Sequence, residues 1–439
     1  MTRNANVFSS SPTSASLTRR RVLRAGVGAG ITASTLGLAA CASMSGTPIG
    51  RVVVVGGGYG GATAARYLRL WGGNIDVTLV ERSASFVSCP ISNLVLAGAR
   101  QIDDVTRGYD GLKAVGVKVV QGEVTAIDAA GKKVRLASGA ELPYDRLVMS
   151  PGVDFLWDQV GGLQAAVDAG RIAHAWKAGP QTVALRRQLE AMPAGGVFAM
   201  SIPRSPYRCP PGPYERACMV AAYVKEAKPR GKVLVLDANP EVQSKKALFE
   251  KAWKDHYEGI IEYRPNAELK SVDGLTAKFE FEDVRADVLN VIPPQRAGDI
   301  ARTSGLVNVN NRWAGVNWLS MESTAVPGIH VLGDATFSAP AMPKSGHMAN
   351  QHAKVAAAAI IALLKGDAIN QTPVVMNTCY SFVTTREVVH VASVHQYDAK
   401  DATFKTVPGS GGLSSAASQI EGRYALSWAD NIWGDMLAV

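Results

Sequence analysis

The chain has 439 residues, of which 47% are hydrophobic and 19% charged, so it is long enough for two or three globular domains. Its formal net charge is +9, but five arginines and no acidic residue precede residue 42, which leaves +4 for the remainder. A net charge that small argues against a nucleic acid as the main partner.

The first 46 residues have the pattern of an export signal. A basic cluster at 18–24 resembles the twin-arginine pattern, and the uncharged run from Ala25 to Ala40 that follows is too short to span a bilayer. This pattern predicts a periplasmic protein. Two processing routes fit the sequence, namely a lipid anchor at Cys41 or ordinary cleavage beside small residues. No later stretch is predicted to cross a membrane.

A glycine-rich turn follows the first predicted strand, which is a run of four valines at 52–55. The turn fills the pattern G-x-G-x-x-G with Gly56, Gly58 and Gly61. The first glycine allows a tight turn, the second lets a pyrophosphate approach the backbone, and the third lets the helix pack on the strand. Glu81 ends the next predicted strand and is placed to accept hydrogen bonds from a ribose. These features predict a bound dinucleotide.

Two later segments favour FAD as that dinucleotide. A predicted strand at 329–332 runs into Gly333 and Asp334 and is followed by a long alanine-rich helix. This order resembles the second FAD motif of flavoproteins with two dinucleotide domains, in which the aspartate holds a ribityl hydroxyl. The stretch at 144–152 resembles the link where the chain leaves an FAD domain. Val124 and Gly152 are also predicted to bind the cofactor.

A second strand–helix–strand unit is predicted between these FAD motifs. Its elements are predicted at 195–203, 213–228 and 232–238. The turn before its helix carries Cys209 and three prolines, which are Pro210, Pro211 and Pro213. Proline has no backbone N–H, so this turn is a poor cradle for a pyrophosphate. The unit is therefore predicted to keep the fold without a nicotinamide nucleotide, and the electrons must come from another donor.

The chain as a whole resembles the flavoprotein subunit of flavocytochrome c sulfide dehydrogenase. The resemblance rests on unusual stretches spread over nearly all of the chain after the export signal, which include CPISNLVLAG, AHAWKAG, YRCPPGPYERA, NVIPPQRAG, HVLGDA, MPKSG and NTCYS. It implies an α/β fold with two Rossmann-like dinucleotide-binding domains of the glutathione reductase type and a C-terminal α+β interface domain. The expected FAD-binding domain has two parts, at 48–160 and 290–366. A second Rossmann-like domain is expected at 161–289, and a C-terminal domain that covers the flavin at 367–439.

The resemblance also implies roles for individual residues. Cys89 matches the cysteine that bonds the 8α-methyl group of FAD through a thioether. Cys209 and Cys379 match a redox-active disulfide near the isoalloxazine ring, and Glu215 matches an acid close to that disulfide. Lys344 matches a lysine near the pyrimidine edge of the flavin. The family commonly has TCYLSN around the flavin cysteine, whereas this chain has SCPISN, and the proline after Cys89 restricts that cysteine to extended conformations.

The function implied is sulfide dehydrogenation. Hydrosulfide attacks a disulfide sulfur and gives a persulfide and a thiolate, with Glu215 as proton acceptor if burial raises its pKa. The electrons pass to FAD and then singly to a c-type cytochrome. Because no CxxCH motif occurs in this chain, the cytochrome is expected to be a separate subunit of a heterodimer. Two alternatives stay open, a sulfide:quinone reductase-like flavoprotein and a flavin-bearing redox scaffold or chaperone.

Three further residue groups are interpreted without a chemical role. Cys218 is predicted to be a small core residue within its helix. His347 and His352 have poor spacing for a shared helical face, so no metal site is predicted. The aromatic C-terminal run with Tyr424, Trp428 and Trp433 favours core packing of a terminal helix over a direct interface with a partner.

Overall fold

The computed structural model describes residues 47–439, so the predicted export signal and Cys41 lie outside the described residues. The helices of the described part are α1 Tyr59–Gly72, α2 Asn93–Ala97, α3 Asp110–Ala114, α4 Leu163–Asp168, α5 Pro180–Ala191, α6 Gly212–Ala227, α7 Lys246–Tyr257, α8 Asp299–Thr303, α9 Gly346–Lys365 and α10 Gln419–Leu437. Short 3-10 turns occupy Ile102–Val105, Trp157–Gln159 and Gly333–Ala335.

The largest sheet has seven strands and a parallel centre. In spatial order its strands are Val316–Asn317, Glu322–Ser323, Ile329–Val331, Arg146–Met149, Arg51–Val55, Asp76–Glu81 and Lys118–Gln121. The five parallel strands follow the order 3-2-1-4-5 of a dinucleotide-binding fold, counted along the chain. The strand order reverses between Arg51–Val55 and Arg146–Met149, which places a crevice at the carboxyl ends of these two strands.

A second sheet of four parallel strands repeats this arrangement on a smaller scale. Its spatial order is Ile261–Arg264, Lys232–Asp237, Val197–Ile202 and Val288–Val291. Helix α6 connects Val197–Ile202 with Lys232–Asp237 along the chain. The predicted strand–helix–strand unit is therefore confirmed, with each end within two residues of its prediction. The last strand extends beyond the expected domain boundary at residue 289 by two residues.

The C-terminal part is an antiparallel sheet with one long helix. Its strands are Val374–Phe382, Val388–Asp398, Thr403–Thr406 and Gly412–Leu413. Helix α10 follows and packs against α1 and against this sheet. Three smaller sheets have two strands each, and they pair Val153–Phe155 with Gln295–Ala297, Phe86–Val87 with Thr106–Arg107, and Val307–Val309 with Trp313–Ala314. Two more have three strands each. One consists of Val124–Asp128, Lys133–Leu136 and Glu141–Pro143, and the other of Ser271–Asp273, Thr276–Lys278 and Asp283–Arg285.

The core explains why these segments form these elements. The four valines at 52–55 are buried on both faces of the large sheet, as expected for a central parallel strand. The alanines of α9 keep that helix thin, and it packs closely along α1. The two Rossmann-like units and the fold class expected from the sequence are therefore confirmed.

Candidate functional site

One large cavity lies where the two Rossmann-like units and the C-terminal sheet meet. The predicted site residues that line it are Gly58, Glu81, Cys89, Gly152, Cys209, Glu215, Asp334 and Cys379. They come from segments more than 300 residues apart in the sequence, and the fold brings them to one place. Gly56, Gly61, Val124 and Lys344 do not line the cavity.

The glycine turn begins the cavity at the end of the first strand. Gly56 has φ +95°, and a Cβ there would lie 2.4 Å from the carbonyl oxygen of Ser150. A Cβ on Gly61 would lie 1.7 Å from the carbonyl oxygen of Gly56, so this position closes the turn against the helix. Gly58 differs, because nothing lies within 4 Å of where its Cβ would be. The open side of Gly58 faces the cavity and leaves the backbone accessible to a ligand.

Glu81 is fixed beside the same turn. Its Oε2 accepts a hydrogen bond from the backbone N–H of Gly57 at 2.7 Å, and its Oε1 accepts one from that of Ser83 at 2.8 Å. The carboxylate therefore ties the end of the second strand to the glycine turn and still lines the cavity. This is the arrangement that the sequence pattern predicts for a ribose-binding acid.

The side chain of Asp334 indicates whether a flavin dinucleotide fits the cavity. Its Oδ1 is buried and has no hydrogen-bond partner, and burial raises the pKa of this carboxyl group. Because buried carboxylate oxygens are normally paired, this unpaired oxygen, in a residue that lines the cavity, leaves an acceptor that a ligand hydroxyl would complete. Together with the open face of Gly58 and the fixed carboxylate of Glu81, it makes the cavity fit for FAD.

Lys344 lies behind Asp334 rather than in the cavity. Its ammonium group donates to the backbone carbonyl of Asp334 at 3.0 Å and also to that of Thr336. It lies over the ring of Trp313, 3.8 Å from the centroid. Buried carbonyls and an aromatic face thus hold this ammonium away from the cavity wall. The side chain supports the loop that carries Asp334, and its place near the pyrimidine edge of the flavin stays a prediction.

Val124 also lies elsewhere. It begins the outer strand of a small three-stranded sheet and packs against the core on the far face of the large sheet. No side-chain contact of Val124 connects it with the cavity.

Cys209 stands at the start of α6 in an unusual backbone conformation. Its φ is +57°, in the left-handed region that residues with a Cβ rarely adopt. Its N–H donates to the carbonyl of Lys344 at 2.8 Å, and its own carbonyl accepts from the N–H of Gly212 at 2.8 Å. A Cβ on Gly212 would lie 2.9 Å from the Cys209 sulfur, so glycine makes room for the thiol over the helix. The loop holds this sulfur against the first turn of α6.

Cys379 faces the same cavity from the C-terminal sheet. Its Sγ lies 3.3 Å from the side-chain nitrogen of Asn377, which is a possible donor. Cys209 and Cys379 are free thiols here, as are Cys89 and Cys218. Burial raises the pKa of Cys379, and burial together with Cys379 and Glu215 raises that of Cys209. Both thiols of the predicted redox pair are therefore protonated at neutral pH in the dithiol form.

Glu215 lies on the first turn of α6, beside the two thiols. It is 7% exposed, and this burial raises the pKa of Glu215 to about 7, although Lys245 and Arg216 act in the opposite direction. The expectation that burial brings this carboxyl group near neutrality agrees with the structure. A group with such a pKa can both accept and return a proton near pH 7.

Cys89 lies between the glycine turn and α6. Its Sγ accepts a hydrogen bond from the backbone N–H of Ala178 at 3.4 Å and lies 3.9 Å from the carbonyl of Trp176. It lines the same cavity as Cys209 and is partly exposed to it. Cys218 is fully buried within α6 and does not line the cavity, in agreement with its interpretation as a core residue.

Sequence reasoning missed Arg216, which fastens α6 in place. All three nitrogens of its buried guanidinium donate, Nε to Asn93, Nη1 to the carbonyl of His174 and to Asn290, and Nη2 to the carbonyl of Ala175. These acceptors belong to the FAD-binding unit, the connecting loop and the second sheet. Its position next to Glu215 was the only available signal. Lys245, a second missed residue, lies beside the thiols.

The acid at the end of the second strand of the small sheet is fully engaged within the protein. Asp237 is buried, and its Oδ2 accepts from the hydroxyls of Tyr214 at 2.8 Å and Tyr263 at 3.0 Å. Its Oδ1 accepts from the backbone and side chain of Asn239. In a dinucleotide site this acid would bind a ribose. Here its acceptor positions are taken by core side chains.

Aromatic side chains of the C-terminal part close the cavity. Trp428 lines it together with His347 and Tyr380, and its ring centroid lies 5.9 Å from that of His347. Trp433 is buried and donates to the hydroxyl of Tyr59 at 3.2 Å, whereas Tyr424 is 54% exposed. The predicted core packing thus holds for Trp433, while Trp428 belongs to the site.

Within residues 47–439, no group of three or more His, Cys, Asp or Glu side chains could hold a metal ion. In the same part of the chain, each helix is too short or too polar to cross a lipid bilayer.

Comparison with protein families gives three matches along the chain. Residues 182–293 match the central part of the sulfide dehydrogenase [flavocytochrome c] flavoprotein chain, and residues 371–437 match the flavin-binding part of flavocytochrome c sulphide dehydrogenase. Residues 50–178 match the pyridine nucleotide-disulphide oxidoreductase family. The two flavocytochrome matches include Cys209, Glu215 and Cys379.

Individual proteins give a consistent result. The chain is 62% identical over 45 residues to the sulfide dehydrogenase [flavocytochrome c] flavoprotein chain of Chlorobaculum thiosulfatiphilum, covering 94% of that sequence and 10% of this one. It is 23% identical over 301 residues to the mitochondrial sulfide:quinone oxidoreductase of Mus musculus, and this match spans 65% of each chain. The solved sulfide:quinone oxidoreductase of Aquifex aeolicus superposes with a TM-score of 0.70 at 19% identity, covering 88% of this chain and 91% of that one.

Proposed function

Since the chain belongs to the family of flavocytochrome c sulfide dehydrogenase flavoprotein chains, we propose that it oxidises hydrosulfide through Cys209 and Cys379 and passes the electrons to FAD. The observation that carries this proposal is the meeting of both thiols and Glu215 in the cavity that also contains the dinucleotide-binding residues. A purely structural pair of cysteines would not need a carboxyl group whose pKa is near 7 beside it.

The residues that would hold FAD are those that line the cavity on the side of the large sheet. Gly58 would admit the pyrophosphate, Glu81 would bind the ribose, and the unpaired Oδ1 of Asp334 would accept from a ribityl hydroxyl. Cys89 would form the thioether. When bound, FAD takes up an electron pair and can release the electrons one at a time, which suits a haem acceptor.

The chemistry of the chain itself is a thiol–disulfide exchange. In the oxidised protein, hydrosulfide attacks one sulfur of the Cys209–Cys379 bond, so a new sulfur–sulfur bond forms and the old one breaks. The products are a persulfide on one cysteine and a thiolate on the other. Glu215 accepts the proton that the bound hydrosulfide gives up, because its carboxylate lies beside the pair and has a pKa of about 7.

The second sheet supports a donor other than a nicotinamide nucleotide. At the start of α6, Pro211 has no N–H, and the N–H groups of Gly212 and Glu215 donate to the carbonyls of Cys209 and Pro211. The acid at the neighbouring strand, Asp237, is held by core tyrosines. A pyrophosphate and a ribose would therefore each lack the partners that they use in such folds.

Anaerobic bleaching of the flavin tests the function directly. Sulfide is expected to reduce the bound flavin rapidly. NADH at the same concentration should reduce it at least about 100-fold more slowly, since the turn before α6 and Asp237 lack free partners to orient it. The measurement is the visible flavin absorbance after rapid mixing. A redox scaffold or chaperone would show no bleaching with sulfide, and fast bleaching by NADH would contradict the absence of a nicotinamide site.

The flavin link at Cys89 has its own test. After acid precipitation, the flavin is expected to remain with the protein, and the peptide that contains Cys89 should carry the added mass of FAD. In Cys89→Ser the flavin should be released into the supernatant, because a serine oxygen does not replace the thiolate. Cys218→Ser, which changes a buried thiol outside the cavity, is the matched control. Release of free flavin from the unmodified protein would show that the cofactor is bound without a covalent link.

The electron acceptor is proposed to be a c-type cytochrome on a separate subunit in the periplasm. The family description names a flavocytochrome, this chain has no CxxCH motif, and its first 46 residues have the pattern of a twin-arginine signal. A quinone is the second candidate, because the chain is also similar to sulfide:quinone oxidoreductases. Supplying the sulfide-reduced protein with ferricytochrome c or with a soluble quinone separates the two, and the faster oxidant identifies the acceptor class.

A further inference from the structure

We propose that Lys245 is a positioning residue of the sulfur pair, whose buried ammonium group makes Cys379, rather than Cys209, the sulfur that leaves as a thiolate when the disulfide opens. This inference rests on the proposed function, since it concerns the same pair of cysteines. Lys245 immediately precedes α7 and is 6% exposed. Its backbone has φ +55°, in the left-handed region, and its side chain reaches the C-terminal sheet.

The hydrogen-bond acceptors of this ammonium group carry no charge. It donates to the carbonyl of Cys379 at 2.9 Å, to the hydroxyl of Ser381 at 2.8 Å and to the carbonyl of Val389 at 3.3 Å. All three acceptors are uncharged. Among the ion pairs of residues 47–439, none involves this nitrogen. A buried charge with neutral partners favours a nearby anion, because water cannot screen it.

The anions within its field are those of the candidate site. Cys379, Glu215 and Cys209 interact with Lys245 electrostatically, in that order of strength, and Glu421 of α10 follows. Burial lowers the pKa of Lys245 to about 8, so the nitrogen is still an ammonium group at neutral pH. Other charged or titratable groups that face the cluster from adjoining elements are Arg208, Arg216, Tyr380 and His390. The Nδ1 atom of His390 lies 3.0 Å from Oε2 of Glu421, so this carboxylate has a partner other than Lys245.

The two thiols are not equivalent with respect to this charge. For Cys379, Lys245 is the largest influence that lowers the pKa, and Asn377 and Ser345 contribute hydrogen bonds in the same direction. For Cys209, the neighbouring Cys379 and Glu215 raise the pKa, and the opposing effect of Arg208 exceeds that of Lys245. The stabilisation of negative charge is therefore greater at Cys379. A more stable thiolate is also a better leaving group in disulfide exchange.

The test is the pH dependence of alkylation of Cys379 in the full, flavin-loaded protein after reduction with a phosphine. Iodoacetamide reacts with thiolates, and mass spectrometry of the peptide around Cys379 gives the rate at each pH. Lys245→Met is expected to raise the apparent pKa of Cys379 by at least about one unit, which means about tenfold slower alkylation at neutral pH. Lys245→Arg should restore the rate to within about threefold, because it keeps the charge.

Two variants separate this role from a merely structural one. Lys246→Met changes the neighbouring exposed lysine, which pairs with Glu241, and should leave the profile unchanged. Ser381→Ala removes one hydrogen-bond acceptor of the same ammonium group but no charge. The hydrogen bonding of Lys245 is weakened in this variant, and the pH dependence of Cys379 alkylation should stay unchanged. If Lys245→Met does not retain flavin, Lys245→Gln, which keeps a donor and lacks the charge, takes its place.

The outcomes are distinguishable from those of the proposed function. The proposal is overturned if the charge-removing variant and the unmodified protein give the same alkylation profile. That measurement contains no sulfide, so it stands even if sulfide does not bleach the flavin. Conversely, rapid bleaching of the flavin by sulfide, together with an unchanged alkylation profile in the Lys245 variant, would support sulfide oxidation and contradict the role of Lys245.

Discussion

Replacing Cys379 with serine is expected to lower the rate of flavin reduction by sulfide by about 10³-fold or more, while the flavin content stays unchanged. The loss is large because the variant cannot form the sulfur–sulfur bond that hydrosulfide attacks, and no other free thiol lies on the C-terminal sheet. Flavin should be retained because Cys379 is not among the residues proposed to hold FAD, which are Gly58, Glu81, Cys89 and Asp334. Anaerobic rapid mixing with sulfide measures the rate, and the flavin-to-protein absorbance ratio measures the content.

The matched control for this variant is Cys218→Ser. Cys218 belongs to the same helix as Glu215 but is fully buried outside the cavity, so its replacement should change the rate by less than about threefold. Unchanged turnover in Cys379→Ser would reduce Cys209 and Cys379 to a structural pair. A loss of flavin in that variant would show that the C-terminal sheet contributes to cofactor binding, and the rate would then be compared per bound flavin.

Replacing Glu215 with glutamine is expected to lower the same rate by about 10²-fold at pH 8 and to remove part of its pH dependence. The carboxylate form accepts the proton from hydrosulfide, and with a pKa of about 7 this form prevails above pH 7. The rate of the unmodified protein should therefore rise with pH through about 7 relative to that of the variant. Taking the ratio of the two rates at each pH cancels the ionisation of sulfide itself.

The stability of the same variant gives an independent measurement. Burial raises the pKa of Glu215 from 4.5 to about 7 in the folded protein, so the folded state binds the proton more tightly than the unfolded state. The stabilising contribution of the protonated group is complete below about pH 4.5 and is lost as the pH rises through about 7. Denaturant unfolding should show that this loss is absent in Glu215→Gln. Glu226→Gln, at the exposed end of α6, should behave as the unmodified protein does. A constant ratio of rates with pH, together with unchanged pH dependence of unfolding, would contradict a titrating role for Glu215.

The parts of the site that sequence predicts best are those set by local backbone geometry. Gly56 and Gly61 are predictable because a Cβ at either position would collide with the backbone, which makes the glycine spacing itself informative. Glu81 follows from the same unit, since a parallel strand of that length must end beside the turn. The strands and the helix of the second unit are read from hydrophobic runs and from their ends. These rules are short-range, so one sequence is enough.

The pairing of Cys209 with Cys379 has a different origin. These residues are 170 positions apart, and only the family resemblance proposed their proximity before the structure placed both on one cavity. Lys245 could not be identified at all, because its role depends on its left-handed backbone conformation and on strands that begin more than 120 residues later. Lys344 shows the opposite limit. The family resemblance implies that it lies near the pyrimidine edge of the flavin, whereas in the structure two carbonyls and an indole ring set the direction of its side chain.

The buried Asp237, at the end of a strand of the second sheet, limits how a nicotinamide-nucleotide site could be built there. Exchanging the prolines before α6 for glycines would return backbone donors to the loop, but Asp237 would still be held by Tyr214, Tyr263 and Asn239. Freeing it means emptying part of a packed interior at the same time, and each such step alone leaves a cavity or an unpaired carboxylate. Restoring a pyridine-nucleotide site would thus need several substitutions at once, which would preserve the proposed dependence on an inorganic electron donor.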